Sequence, residues 1–406
     1  MMENHAVIRA TAPLVLVLCF GFNMLGRGVA DTYIVFLLPL GAEFGWNRGQ
    51  LASVYSIYLL VAGLAAPLTG IAFDRFGPRA VYTTGMIAMG LGYFLASGLT
   101  RLWQFQLCIG LLGGVGVCAL GMIPASSLIR RWFRGRMSTA IGIAYAGFGS
   151  GILMIVPLTQ FLIQAYGWRD AYRFLGATFV VLLPLVWLLP WRGLAAGRTP
   201  VGSATIARPA LGARAVLREA MRRPQFWALM QVFFFTASAM QTMLVQIVAY
   251  LVDTGFTPLE AASAFGVAGF LSVVGVIAAG WLSDRIGHRK TATWSFLLTM
   301  SGIVLLLLLS FHRAAWVLAG FVLLFGLAQG ARGPIVSSLA AKLFPGAGFA
   351  TVYGAIFATM SIGSGVGAWA SGLLHDATGG YYASFAFSLV SITIAACAFW
   401  IGALRR

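Results

Sequence analysis

Apolar residues run along this chain in blocks long enough to cross a bilayer, separated by short polar or charged connectors. A membrane helix needs about 20 mostly apolar residues. Twelve blocks meet that length. The first half holds 12–40, 49–73, 80–99, 103–128, 138–163 and 172–190. The second half holds 226–251, 260–282, 291–311, 315–340, 349–373 and 381–403. Between them lies WRGLAAGRTPVGSATIARPALGARAVLREAMRRPQF, polar, basic and rich in Pro and Gly. The pattern predicts an all-α membrane protein of two six-helix bundles, 1–190 and 226–406, joined by a cytoplasmic linker over 191–225, in which 213–222 reads as an amphipathic surface helix.

The two halves repeat. GIAFDRFGPR (70–79) matches GWLSDRIGHR (280–289), and FGWNRGQLAS (44–53) matches TGFTPLEAAS (254–263), both at an offset of 210. PASSLIRRWF (124–133) aligns with IVSSLAAKLF (335–344) at 211. An offset that drifts slowly over most of the chain indicates a duplicated six-helix unit. Parallel repeats of this kind carry their binding site at the repeat interface near mid-membrane.

Composition agrees with the blocks. The chain is 60% hydrophobic and 9% charged, against about 25% charged residues in a soluble domain. The net charge of +17 sits mostly in connectors, so it sets topology and meets anionic headgroups rather than nucleic acid. With the N-terminus inside, twenty Lys and Arg fall on the cytoplasmic side and five outside, which places both termini in the cytoplasm. The location expected is a bacterial inner membrane, and a monomer is plausible. Cys19, Cys108, Cys118 and Cys397 all lie in apolar blocks without ligand spacing, and they read as small core residues. No metal site, cofactor site, phosphate loop or Ser/His/Asp arrangement emerges, so no enzyme chemistry is expected.

The pattern G-x-x-x-D-R-x-G-x-R occurs once in each half: Gly70, Asp74, Arg75, Gly77 and Arg79, then Gly280, Asp284, Arg285, Gly287 and Arg289. The first Gly allows close helix approach, the Asp accepts hydrogen bonds at a helix end or pairs with Arg, and the second Gly permits a tight turn. Such a cluster suits a conformational latch. Two copies at matching positions resemble the major facilitator superfamily. FGW (44–46), GWRDAYRF (167–174) and RRPQFW (222–227) are similar to its monocarboxylate-porter and oxalate–formate antiporter group. The resemblance implies transport of small carboxylates, with a proton or in exchange for another anion. It also implies that helices 1, 4, 7 and 10 line a central cavity. The eighth-helix Arg common in that group aligns near Val276, and the eleventh-helix Lys of the oxalate exchangers aligns near Met360. Another cation must serve here.

Away from the block ends three charges remain: Arg27 and Asp31 in the first block, Arg332 in the tenth. Burying each costs about 2.5–3.5 kcal/mol on insertion scales. Arg27 and Asp31 are i and i+4, on one helix face. They are either a self-neutralising pair or a switch in which Asp31 carries the coupling proton and Arg27 takes the substrate carboxylate. Arg332 is either a second cation of that site or a structural group bonded to backbone carbonyls. Gln329, Gln241, Tyr145 and Tyr58 are candidate substrate contacts, with Asn23, Tyr55 and Gln246 as further polar groups. The function expected is a secondary active transporter of small organic anions, a proton-coupled monocarboxylate symporter working by alternating access. An anion exchanger, an exporter of a larger amphipathic compound and a transporter-like solute receptor stand as alternatives.

Overall fold

The computed structural model describes residues 2–403 except 47, 134, 198–212, 312–313 and 347. Among the described residues all regular structure is helical. Ten helical stretches among these residues are long and apolar enough to span a membrane: Thr11–Leu37, Ser53–Ala96, Leu102–Trp132, Met137–Leu188, Pro224–Ile247, Ser263–Ile286, His288–Leu309, Ala315–Leu343, Phe349–His375 and Tyr382–Ile401. Two of them hold two predicted blocks each, without an open loop between. The break in the first falls at Gly77 (φ 80°), and in the second at Gly167 (φ 81°). A single glycine in a backbone region closed to other residues turns the chain there.

The helices that matter for function are named here in chain order. α1 is Met2–Asp31, α2 Tyr33–Phe44, α3 Arg48–Ala96 and α4 Met137–Leu188. α5 is Pro224–Asp253, α6 Pro258–Ile286 and α7 His288–Leu309. α8 is Ala315–Ala328, α9 Arg332–Leu343 and α10 Phe349–Thr378.

The chain divides into two compact units. Unit 1 comprises Met1–Gly135, Ala144–Leu217 and Pro345–Ala358, and unit 2 comprises Arg136–Ile143, Arg218–Phe344 and Thr359–Arg406. Each unit therefore includes a short segment from the other half of the sequence, at the start of α4 or of α10.

In unit 1, α4 lies so close to α1 that a Cβ on Gly151 would stand 2.3 Å from the carbonyl oxygen of Met24. Small residues permit this approach, which replaces the hydrophobic driving force that lipid cannot supply. An aromatic cluster closes one end. Phe36 stacks on Tyr172 at 3.8 Å, and Phe44, Trp46, Phe105 and Trp168 pack beside them. There the Glu43 carboxylate accepts a hydrogen bond from Trp168 Nε1 and pairs with Arg169. These hydrogen bonds, Trp168 first and Arg169 second, hold Glu43 below the usual carboxylate range.

In unit 2, α5 and α10 form a polar seam. Thr359 donates to the Met230 carbonyl, Thr242 to Gly367 and Gln246 to Ser371. The core behind it gathers Met243, Ile247, Leu251, Ile303, Leu306, Phe321 and Phe325. Asp253, at the end of α5, accepts a hydrogen bond from the Tyr381 hydroxyl. Burial and this bond push the Tyr381 phenol up to about 12. Glu43 and Asp253 lie 210 positions apart, so both repeats carry a carboxylate just after their first block, engaged by a side chain close to the start of their sixth. On α3, Leu60, Leu64 and Leu68 form an exposed stripe at helical spacing, each more than half accessible. Water would penalise that stripe, whereas lipid accommodates it.

Candidate functional site

α1 ends at the charged pair. The helix breaks at Thr32 and resumes as α2. A broken helix in a membrane must satisfy its freed backbone groups internally. The Val29 carbonyl does so by accepting from Thr32 N at 3.2 Å, Thr32 Oγ1 at 2.6 Å and Tyr93 Oη at 3.0 Å.

Arg27 Nε donates to Asp31 Oδ2 at 2.8 Å. Asp31 is nearly sealed, with 6% of its side chain exposed, while Arg27 keeps 31%. The other carboxylate oxygen, Oδ1, accepts from Tyr55 Oη at 3.1 Å, across from α3. Tyr58 lies one turn further along α3, its ring 5.3 Å from that of Tyr55. Its hydroxyl is buried without a hydrogen-bond partner. Asn23, one turn before Arg27, donates to Cys19 O at 2.7 Å, and its Oδ1 is likewise buried and unpartnered. The terminal nitrogens of Arg27 bind no protein group among the described residues. Unit 1 thus gathers a partly open guanidinium, a buried carboxylate held by two donors, and two buried polar atoms without partners among the described residues.

The remaining candidates lie elsewhere. Tyr145, on α4, shares a hydrogen bond with the Tyr353 hydroxyl at 3.2 Å, within unit 1. Gln241 on α5 is half-buried. So is Gln329, which closes α8 in an extended conformation. Gln246 is engaged in the α5–α10 seam. Arg332 begins α9 and is 2% exposed. Its Nη1 donates to Ser295 O at 3.1 Å and Thr299 Oγ1 at 2.8 Å, both on α7.

The two motif copies have closely similar geometry. Asp74 Oδ2 accepts from Thr351 N and Thr351 Oγ1, each at 2.9 Å, in the first turn of α10. Asp284 accepts from Ser138 N at 3.1 Å, and from Thr139 N and Thr139 Oγ1 at 2.7 Å, in the first turn of α4. Each Asp caps the N-terminus of a helix from the other half of the sequence, where unpaired N–H groups and the helix dipole favour an anion. Gly70 and Gly280 bring the backbones together: a Cβ would stand 2.1 Å from Ala350 O and 2.4 Å from Ser138 O. Gly77 and Gly287 turn with φ of 80° and 90°. The motif arginines do not pair with the aspartates among the described residues. Arg75 lies over Phe76, Arg79 over Trp187, Arg285 over Trp281 and Arg289 over Trp400, at 3.9–5.1 Å. The cap partners Thr351, Ser138 and Thr139 carry no sequence signal of their own, beyond a hydroxyl in the first turn of a helix.

The sequence matches the family model described as Major Facilitator Superfamily over residues 16–323 and again over 251–406. Monocarboxylate transporter 13 of Bos taurus is 31% identical over 377 residues, covering 92% of this chain and 84% of that protein. An uncharacterized MFS-type transporter of Bacillus subtilis, YcxA, is 24% identical, covering 94% and 93%. Among solved structures, the E. coli fucose:proton symporter FucP shares the fold with a TM-score of 0.74 at 17% identity, covering 96% of this chain and 99% of that one. The chain belongs to the major facilitator superfamily, in its monocarboxylate-transporter group. It is an integral, multi-pass membrane protein with the fold of a transporter.

Proposed function

We propose that this protein is a secondary active transporter of small organic anions, a proton-coupled monocarboxylate symporter that works by alternating access in a bacterial inner membrane. Twelve crossings with both termini in the cytoplasm complete the proposal. Stretches of 44 and 52 residues are too long for one crossing of a core about 30 Å thick. The breaks at Gly77 and Gly167 divide each into two.

The observation that carries the reading is the asymmetric pair on α1. Asp31 is buried and doubly hydrogen-bonded, and Arg27 is partly open, with its terminal nitrogens bound to no group among the described residues. With Asp31 ionised, the pair is neutral and has little attraction for an anion. A proton on Asp31 cancels its charge and leaves Arg27 as a net cation. The guanidinium then takes the substrate carboxylate through its outer edge. Proton and anion each favour the other's binding, which is the linkage a symporter needs. Tyr58 supplies a donor to the carboxylate, and Tyr55 orients Asp31. The names of the monocarboxylate relatives support the substrate class. The caps at Asp74 and Asp284 are the latches that part and re-form during transport.

Uptake of labelled lactate into proteoliposomes tests the reading. An inwardly directed proton gradient should accelerate uptake. Asp31→Asn should abolish that response, and Arg27→Gln should lower uptake at least about tenfold, as expected for a lost charged hydrogen bond. Uptake that ignores the gradient sinks proton coupling, and electroneutral counterflow without a pH effect selects anion exchange instead.

A further inference from the structure

Arg332 poses a separate problem within unit 2. Its side chain is buried, yet it takes part in none of the ion pairs formed among the described residues. One end of the guanidinium is fixed by Ser295 O and Thr299 Oγ1 through Nη1. The Phe296 ring stands 5.3 Å from Cζ and covers a face of the group. The other two nitrogens, Nε and Nη2, have no hydrogen-bond partner among the described residues. These two lie on the same edge of the planar fork, so their N–H bonds run side by side in one direction and a single small ligand can bridge them.

The backbone adds to this. The span Ala315–Leu343 is interrupted at Gln329, Gly330 and Ala331, with Gly330 at φ 77°. α9 begins at Arg332 itself, so the positive end of a twelve-residue helix adjoins the guanidinium. A water molecule on that edge would satisfy the two N–H groups and leave the positive charge uncompensated in a low-dielectric interior. A small anion satisfies both.

We infer that the Nε–Nη2 edge of Arg332, at the start of α9, binds one small inorganic monoanion of the chloride or nitrate class inside unit 2. The ligand is small and inorganic because the group is 2% exposed and Phe296 covers one of its faces, an enclosure suited to a compact ion rather than an organic tail. The site is distinct from the carboxylate site proposed on α1. It holds the broken span together, as a counter-ion built into the C-terminal half.

The test uses the full chain, purified in detergent with a bulky sulfonate as the only anion. Binding of radiolabelled chloride, and the unfolding midpoint against added chloride, bromide or nitrate, are measured. One saturable chloride per chain is expected, with a rise in Tm of about 3 °C or more at saturation. Arg332→Gln should abolish both. Arg332→Lys keeps the charge without the two-pronged edge and should weaken binding at least about tenfold. Arg27→Gln should lose lactate uptake and keep chloride binding, which separates this site from the transport site. Absence of saturable chloride binding in the wild-type chain overturns the inference, whatever the variants do. Undiminished binding by Arg332→Lys, or competitive displacement of chloride by lactate, overturns it as well.

Discussion

Tyr58 and Glu43 show what a single side chain contributes here. Removing a buried hydroxyl that bonds nothing costs no hydrogen bond in the resting protein, so Tyr58→Phe should leave Tm unchanged or slightly raised. If the hydroxyl donates to the substrate carboxylate, the same substitution should raise the KM for lactate by about tenfold. Paired Tm and uptake measurements read both effects. Glu43 predicts a pH effect. Its carboxyl titrates below its unfolded value, so the Trp168–Arg169 contacts contribute fully above that unfolded value and are lost as the pH falls through the lowered folded one. Wild type should exceed Glu43→Gln in Tm at neutral pH, and the two curves should meet at the acid end of a pH series. The Arg27–Asp31 pair was legible in the sequence, because four positions along a helix fix a shared face. Tyr55 was not legible as the partner of Asp31, since that bond depends on how α3 packs against α1. The direction of Arg332 was not legible either. The break at Gly330 resets the helical phase, and counting from the preceding residues no longer says which way the side chain points.

At the scale of the element, the motif is a device for joining backbones. Gly70→Ala would drive a methyl group into Ala350 O, and the nearest atom is rigid main chain rather than a movable side chain. A loss of roughly 1–3 kcal/mol is expected, read as a lower Tm, with slower transport because the contact can no longer close. Asp284→Asn keeps one acceptor at the α4 N-terminus and forfeits the charge, for a cost of about 0.3–2 kcal/mol. The glycine spacing made the close approach readable from the sequence. Which helix would be approached was not readable, because 277 positions separate Asp74 from Thr351. The arginines show a second limit of sequence reading. Proximity in the motif suggests pairing with Asp, but each guanidinium lies over an aromatic ring instead. The rings of Trp187 and Trp400 come from other helices, so the motif itself could not reveal them.

At the scale of the molecule, duplication was visible as a slowly drifting offset, and the structure repeats it in the paired caps and in the paired carboxylates Glu43 and Asp253. The compact units do not follow the midpoint of the sequence, because each includes the start of a helix from the other half. Expressed alone, a chain of residues 1–197 would keep Asp74 without its helix and the start of α4 without its cap. Co-expression with a chain of residues 213–406 should restore both. Recovery of monodisperse protein after detergent purification is expected for the pair and not for the single halves. Equal recovery of a single half would show that the caps contribute nothing to its integrity. The same arrangement sets a schedule for biogenesis. Thr351 follows Asp74 by 277 positions; at about 5–20 residues per second of synthesis, the ribosome delivers it roughly 14–55 s later. Throughout that interval the nascent N-terminal half waits in the bilayer with an open carboxylate, available to an insertase or a lipid headgroup until its own helix arrives.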